Sequence, residues 1–481
     1  MSSHTRRKFF RDAGILAGGA ALASMPGRRL LAQDPNENCA PPGTQPTPTP
    51  FTPSNNLPMR TRQSAFALST TDQAKLVAAY AALRALPPDD PRGWLPQAHV
   101  HCWYCSGSQN YPSNVEIHGS WTFMPWHRCY LYFHERILAT LIGDDTFALP
   151  YWAWEVTTNP TFPPLYAVNP SSLYDPVRAA TPSTTPTITQ MFAANGVDVQ
   201  ARLQETSKTL FLGNAGSGGN IEFGPHGDVH LWTADPSLNI EDSNPDMGIL
   251  QTAARDPVFF AHHGNIDRLW WSWNKEGNAN YTDSSWLDIS WTFYDENKNW
   301  ISISVADVLD AENNLHYTYD KSAVDSSSSK VFLSAAATMA TVKQGPDPTT
   351  TQIAVPAAAQ AQIAEVAPRR TFILHIDGVD VPPDKAAMVR VFVNMPTATP
   401  KTLAAQTPNF VGTFTIVPSV VKGNTAHNHK KRNIVFDVSR QLATVLKGQK
   451  NISVTLVPVS RLNQRHENIQ LTYDKVYITI E

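Results

Sequence analysis

Histidine in this chain is concentrated in two batches, and both sit inside aromatic runs. The first batch lies in "HVHCWYC" (99–105) and "EIHGSWTFMPWHR" (116–128); the second lies in "HGDVH" (226–230) and the pair "HH" (262–263). An imidazole among Trp, Tyr, Phe and Leu is stripped of water, and a buried polar ring needs a hydrogen bond or a metal to offset that loss. His226 and His230 are four apart, hence one turn apart on one helical face, which suits two imidazoles on one metal. His118 and His127 are nine apart, about 900° of helix, and would point to opposite faces. His118 is therefore expected in the loop before the helix that carries His127, with Pro125 in that helix's first turn and His101 at the end of the preceding element. Three imidazoles from three backbone contexts can converge in a bundle core. His134 shares the His127 face, but its neighbours "LYF" and "ERIL" point to packing.

Two three-histidine clusters without a carboxylate ligand suit copper, for which nitrogen donors are favoured; catalytic zinc needs only one such site. Cys102 and Cys105 have no second CxxC to complete a zinc knuckle. A net charge of -3 and 16% charged residues give no nucleic-acid footprint, and no apolar run reaches membrane-spanning length.

The N-terminus, "MSSHTRRKFFRDAGILAGGAALASMPGRRLLAQ", pairs Arg6–Arg7 with a weakly apolar Gly/Ala stretch. That is the pattern of a twin-arginine export signal over residues 1–33, and it implies a periplasmic or secreted protein, with the thylakoid lumen as the alternative in a plant. In an exported chain the four cysteines, Cys39, Cys102, Cys105 and Cys129, could form up to two disulfides.

Helical periodicity is expected in "TTDQAKLVAAYAALRAL" (Thr71 or Asp72 as cap; Leu76, Ala79, Tyr80 and Leu83 as apolar stripe), in "HRCYLYFHERILATLI" up to Gly143, and near "DPVFFAHHGNIDRLWWSW". "WLDISWTFYDENKNWISISVADVLD" reads as a hairpin. Residues 321–369 read as linker, and from 370 to 481 six short strands divided by turns indicate a separate β lobe. The fold class expected is a mainly α domain (34–320), with a four-helix core holding two coppers and long loops, followed by an all-β sandwich-type domain.

With those residues in view, "QAHVHCWYCSG", "EIHGSWTFMPWHRCYLYFHERIL", "FALPYWAWE", "PHGDVHLW" and "DMGILQTAARDPVFFAHHGNIDRLWWSW" resemble the plant-type polyphenol oxidases of the tyrosinase and catechol oxidase family. "SSWLDISWTFYDE", in a segment of about 284–310, resembles the family's DWL region with Ser285 at the first acidic position; "RNIVFDV" resembles its KFDV domain with Val435 at the usual lysine. The resemblance implies two copper ions, one on His101, His118 and His127 and the other on His226, His230 and His263, with His262 behind the ligands and Asn265 and Asp267 orienting them. It implies a Cys105–His118 thioether, a Cys39–Cys102 disulfide and a free Cys129. It implies a catechol oxidase that turns o-diphenols into o-quinones while O2 is reduced to water. Tyrosinase or o-aminophenol oxidase activity is the alternative, and a haemocyanin-like oxygen carrier is a third reading. Glu222 would hold a water and assist phenol deprotonation, Leu250 would stand at the substrate gate and leave an open mouth, and Gly227, where an Asn positions that water in monophenol-active members, would favour diphenols. Tyr317 and Tyr319 resemble the motif that closes the catalytic domain. The β lobe resembles a shield over the copper mouth, which makes the chain a zymogen whose partners are small phenols and an activating protease. A twin-arginine leader with no transit peptide before it points to a bacterial exported member.

Overall fold

The computed structural model describes residues 39–324, 348–354, 371–459 and 471–480, apart from residues 55, 106–115, 157–160, 235–245, 405–406, 421–429, 445–448 and 450. The export signal, and most of the linker in which an activating cut was expected, lie outside the described residues.

The first helix, α1 (Thr70–Ala85), buries Leu76, Ala79, Tyr80 and Leu83, the stripe the sequence indicates. Its cap is Ser69 rather than Thr71 or Asp72, because Ser69 is extended and its hydroxyl accepts the Asp72 N–H at 3.1 Å. Next come α2 (Trp94–Cys105) and α3 (Phe123–Ile142). Pro125 lies in the first turn of α3, and Gly143 ends it with φ 65°, a left-handed conformation glycine adopts without strain. The short α4 (Ile188–Asn195), then α5 (Gly227–Ala234) and α6 (Val258–Lys275), complete the elements that position the site. Trp126, Trp152, Trp154, Trp232, Trp270 and Trp273 are fully buried. Each removes roughly 200 Å² from water, on the order of 4–5 kcal/mol of gross driving force. The aromatic runs around the histidines are thus the core that holds the helices together.

Strand β1 (Arg60–Arg62) pairs in parallel with β4 (Tyr317–Tyr319), which ties the start of the helical domain to its end. Glu135 on α3 accepts from Arg60 Nε at 2.9 Å and Arg62 Nε at 2.8 Å. Asp267 on α6 receives Arg128 Nε, Arg62 Nη1 and the hydroxyls of Tyr317 and Tyr319 at 2.5–3.2 Å. This buried network ties the start of the domain to its end, although Arg60 Nη1, Arg62 Nη2 and Arg128 Nη2 stay without a partner. The chain stays anchored past Tyr319, since Lys321 and Ser322 carbonyls accept from Arg268 and the Ala323 N–H donates to Ser272 Oγ. Residues 321–324 therefore belong to the helical domain and not to the linker. Between β1 and β4 the expected hairpin is present as β2 (Ser290–Tyr294) and β3 (Trp300–Ser304) in antiparallel register.

The β lobe contains two sheets. One has the order β9–β6–β11, from β6 (Phe372–Val379), β9 (Arg432–Asp437) and β11 (Lys475–Ile480). The other has the order β5–β10–β7–β8, from β5 (Thr349–Ala354), β7 (Ala387–Val393), β8 (Phe410–Ile416) and β10 (Asn451–Pro458). Leu374, Ile376, Val389, Val391, Phe414, Phe436, Val454 and Leu456 fill the space between them. Strand β5 corrects the linker boundary: its Thr-rich sequence looks like a spacer, yet Thr349–Ala354 pairs along β10 as an edge strand. β-branched Thr suits a pleated edge, and a Pro-flanked Thr run carries no apolar alternation to reveal it.

The two domains share their cores. Val417 packs into the helical cluster, Phe223 packs into the lobe's cluster, and Val435 forms a small cluster with Leu210 and Ile373. Valine at 435, where the family resemblance has lysine, thus makes an apolar interdomain contact. Among the described residues no helix is long and apolar enough to cross a membrane.

Candidate metal centre

His101 comes from the last turn of α2, His118 from the loop before α3, and His127 from the first turns of α3, as the spacing required. His226 ends a π turn (Glu222–His226) that runs into α5, His230 lies on α5, and His262 and His263 lie on α6. All seven rings are almost wholly buried. The two batches meet: His127 stacks on His263 with centroids 4.1 Å apart, and His118 lies 6.0 Å from His226.

Hydrogen bonds assign the ring nitrogens. Main-chain carbonyls face Nδ1 of His101 (Leu250, 2.8 Å), His127 (Phe123, 2.7 Å), His226 (Glu222, 3.1 Å) and His230 (Met247, 2.8 Å). A carbonyl only accepts, so each Nδ1 carries the proton and each Nε2 presents a lone pair. Nε2 of His118, His127 and His226 is buried without a hydrogen-bond partner, and Nε2 of His230 faces Nε2 of His263 at 3.4 Å. Buried lone pairs brought together with no hydrogen bond to satisfy them are what a soft cation would reconcile. Burial first, then crowding by neighbouring imidazoles, holds His101, His127, His226 and His263 well below the ordinary histidine range, and burial brings His230 down to about 3. The rings are neutral and ready to ligate.

His262 also lies within ligand distance of His226, His230 and His263. Its Nδ1 accepts the Trp154 indole N–H at 3.0 Å, so its Nε2 carries a proton and cannot donate a lone pair. Geometry alone makes it a fourth candidate ligand; the tautomer removes it. His134 stacks on Phe260 at 3.6 Å and meets Tyr80 and Gln97, a packing role.

Cys39 and Cys102 form the expected disulfide, leaving Cys105 and Cys129 as buried thiols. Cys105 Sγ lies 3.3 Å from His118 Nδ1 and 3.4 Å from the His101 ring nitrogens. Glu116, which the sequence reading did not single out, accepts the His118 N–H at 3.2 Å and lies 3.3 Å from its Nδ1. The expectation that Asn265 and Asp267 orient the imidazoles is not met. Asn265 is taken by Glu155 and Arg268, and Asp267 by the Arg–Tyr clamp; main-chain carbonyls orient His101, His127, His226 and His230.

Glu222 is buried and accepts the Gly119 N–H through Oε1 at 2.5 Å, leaving Oε2 unpartnered. Burial pushes its carboxyl up to about 8. The lobe reaches the same corner: Arg432 packs 3.2 Å from where a Cβ on Gly119 would sit. Leu250 does not leave an open mouth in the intact chain. It is 5% exposed, and its N–H donates to the Pro418 carbonyl of the lobe at 2.8 Å. Gly227 lies under Thr415 of the lobe.

Residues 91–181 and 171–276 match the common central domain of tyrosinase, 280–331 the polyphenol oxidase middle domain, and 347–472 the chloroplastic polyphenol oxidase C-terminal domain. A latent-form chloroplastic polyphenol oxidase of Prunus armeniaca is 34% identical over 466 residues, covering 87% of this chain and 76% of the relative. The chain belongs to the polyphenol oxidase family. The tyrosinase domain implies a dicopper site, and the imidazole clusters fit it. Among solved structures, latent apple tyrosinase superposes with a TM-score of 0.72 at 28% identity over 90% of this chain and 100% of the apple chain. An octopus haemocyanin functional unit superposes at 0.51 with 17% identity over 87% of this chain and 99% of its own, a likeness of fold alone. The apricot and apple relatives are plant proteins and lend no support to a bacterial source.

Proposed function

We propose that this polyphenol oxidase oxidises o-diphenols to o-quinones at two coppers, one held by His101, His118 and His127 and the other by His226, His230 and His263. Two catechols give up four electrons and four protons, and one O2 becomes two waters. The observation that carries the reading is the set of converging, unsatisfied Nε2 lone pairs from both batches. The metal pair, when bound, supplies O2 binding and two-electron redox chemistry.

The chain's own residues do the rest. Carbonyls of Leu250, Phe123, Glu222 and Met247 fix four of the six rings, His101, His127, His226 and His230, with Nε2 free to bind. Cys105 is placed to form a thioether to a His118 ring carbon, the thiol and the ring each losing a hydrogen as O2 takes up the two electrons and two protons, which would pin a ring that a loop holds. Glu222 is the phenol's proton acceptor through its unpartnered Oε2. In the closed chain burial keeps that carboxyl protonated, and admitting water would lower its pKa toward the working range. Glycine at 227 offers no side chain to position a water, which favours diphenol oxidation over monophenol hydroxylation.

The lobe keeps the enzyme latent until a protease cuts the connecting segment. Family relatives named chloroplastic favour the thylakoid lumen as the destination of the twin-arginine-type leader, with the periplasm as the alternative. The test is quinone formation by the copper-loaded, linker-cut chain on 4-methylcatechol and on p-cresol. Quinone from the catechol with little from the cresol supports the reading. Reversible O2 binding without quinone would make the protein an oxygen carrier.

A further inference from the structure

One continuous stretch of the lobe, residues 410–420, crosses the helical domain. The Phe410 ring occupies the space where Gly196, the left-handed residue ending α4, would carry a Cβ. Thr413 Oγ1 donates to the Asn195 carbonyl, and Arg390 Nη2, from β7, donates to the Ala194 carbonyl at 3.0 Å. Two residues on, Thr415 lies over Gly227: a Cβ there would sit 3.1 Å from the Thr415 carbonyl oxygen and 3.2 Å from its Cβ and Cγ2. The Thr415 hydroxyl donates to Asp228 Oδ1, while Asn195 Nδ2 donates to Asp228 Oδ2 at 3.2 Å. Val417 enters the helical core, and the Pro418 and Ser419 carbonyls accept the N–H groups of Leu250 and Gln251 at 2.8 and 3.2 Å.

Gly227 directly follows the ligand His226, and the Leu250 carbonyl holds the ligand His101. The stretch therefore rests on one residue adjoining a ligand of the second half and on one holding a ligand of the first. We propose that residues 410–420 are the lock of the latent enzyme, that Gly196 and Gly227 are its seats, and that the side chain at 227 sets how tightly the lobe closes. Glycine at 227 is then a docking requirement as well as a substrate determinant. A larger residue, such as the Asn that favours monophenols, would push against Thr415 and loosen the lobe, coupling substrate range to latency. The lock itself rests on contacts alone; its link to activity rests on the function proposed above.

Hydrogen exchange followed by mass spectrometry on the full, uncut chain tests this without using turnover. In Gly227→Asn, peptides spanning 410–420 are expected to exchange about tenfold faster or more than in the parent, because overpacking favours the open state. The double variant Gly227→Asn/Thr415→Ser removes the Cγ2 methyl from the lobe side while keeping the hydroxyl bond to Asp228, and is expected to return part-way toward parental exchange. Thr415→Val keeps the shape, removes the bond to Asp228 and gives the same acceleration should Gly227→Asn not fold. Unchanged exchange at 410–420 in folded Gly227→Asn overturns the proposal. Oxygen uptake on a catechol by the uncut, copper-loaded Gly227→Asn chain is measured alongside. Faster exchange with a rise in uptake supports both the lock and latency, whereas faster exchange in the variant with no uptake by the parent chain before or after linker cutting leaves the lock standing and overturns the phenol-oxidase reading.

Discussion

The two halves of the metal centre are assembled on different plans. The half built from His226, His230 and His263 stands on two helices and the turn that feeds one of them, and its His226 and His230 rings lean on carbonyls. The half built from His101, His118 and His127 draws on a helix end, a loop and a helix start, and its loop-borne ring needs Cys105 and Glu116 as props. Helices place side chains more closely than loops do, so the helix-built half needs fewer partners. The lobe treats them differently too, with Arg432 over the first half and Thr415 over the second.

Several substitutions sharpen that contrast. His263→Ala is expected to drop copper content from two to one and turnover on the order of 10³-fold or more, since the redox pair is broken. His262→Ala, the neighbour whose tautomer excludes it, should keep both coppers with affinity lowered about 10–100-fold at most. Metal analysis by mass spectrometry decides between them. Loss of a copper in His262→Ala would break the tautomer assignment.

Acidity acts on both halves of the copper-free protein. The folded imidazoles sit below their unfolded value of about 6.5, so as pH falls through that value the unfolded chain takes up protons the folded one refuses. The contribution of these rings is therefore full above about pH 7 and is lost at about 1.4 kcal/mol per pH unit for each such ring, down to its folded pKa, while Glu222, raised to about 8, gains with falling pH and offsets one ring over the same window. Thermal melts from pH 7.5 to 5 should show a falling midpoint. A flat profile would mean the rings are less buried than they are here.

Smaller effects single out the loop-borne half. Glu116→Gln should weaken copper at that half alone, by about tenfold, read as biphasic metal loss to a chelator. Uniform loss from both halves would contradict the difference in construction. Cys105→Ala should leave both coppers bound and change turnover less than about tenfold, while the parent's peptides carrying Cys105 and His118 should appear linked and two hydrogens lighter.

The same contrast governs what the sequence revealed. His226 and His230 declare themselves by a four-residue interval, and His101, His118 and His127 could be placed because opposite helical faces were geometrically excluded. Leu76, Tyr80 and their neighbours, the hairpin around residues 295–299, and six lobe strands follow from period and turn chemistry. What was not legible acts through the backbone or across long separations. The carbonyls of Met247 and Leu250 carry no side-chain signal. Asn265 and Asp267 look like histidine partners by proximity in sequence, yet Glu155, Arg128 and Arg62 claim them from elsewhere. Thr349–Ala354 lacks apolar alternation, and its strand identity comes from Asn451–Pro458. Gly227 could be read only as a missing side chain until Thr415, distant in sequence, was found above it.

The most direct single measurement is oxygen uptake by the copper-loaded chain on a catechol, before and after limited proteolysis of the connecting segment. A latent phenol oxidase gives little uptake when intact and a steep rise once cut, with two coppers retained. Two bound coppers with no uptake in either form would contradict the assignment.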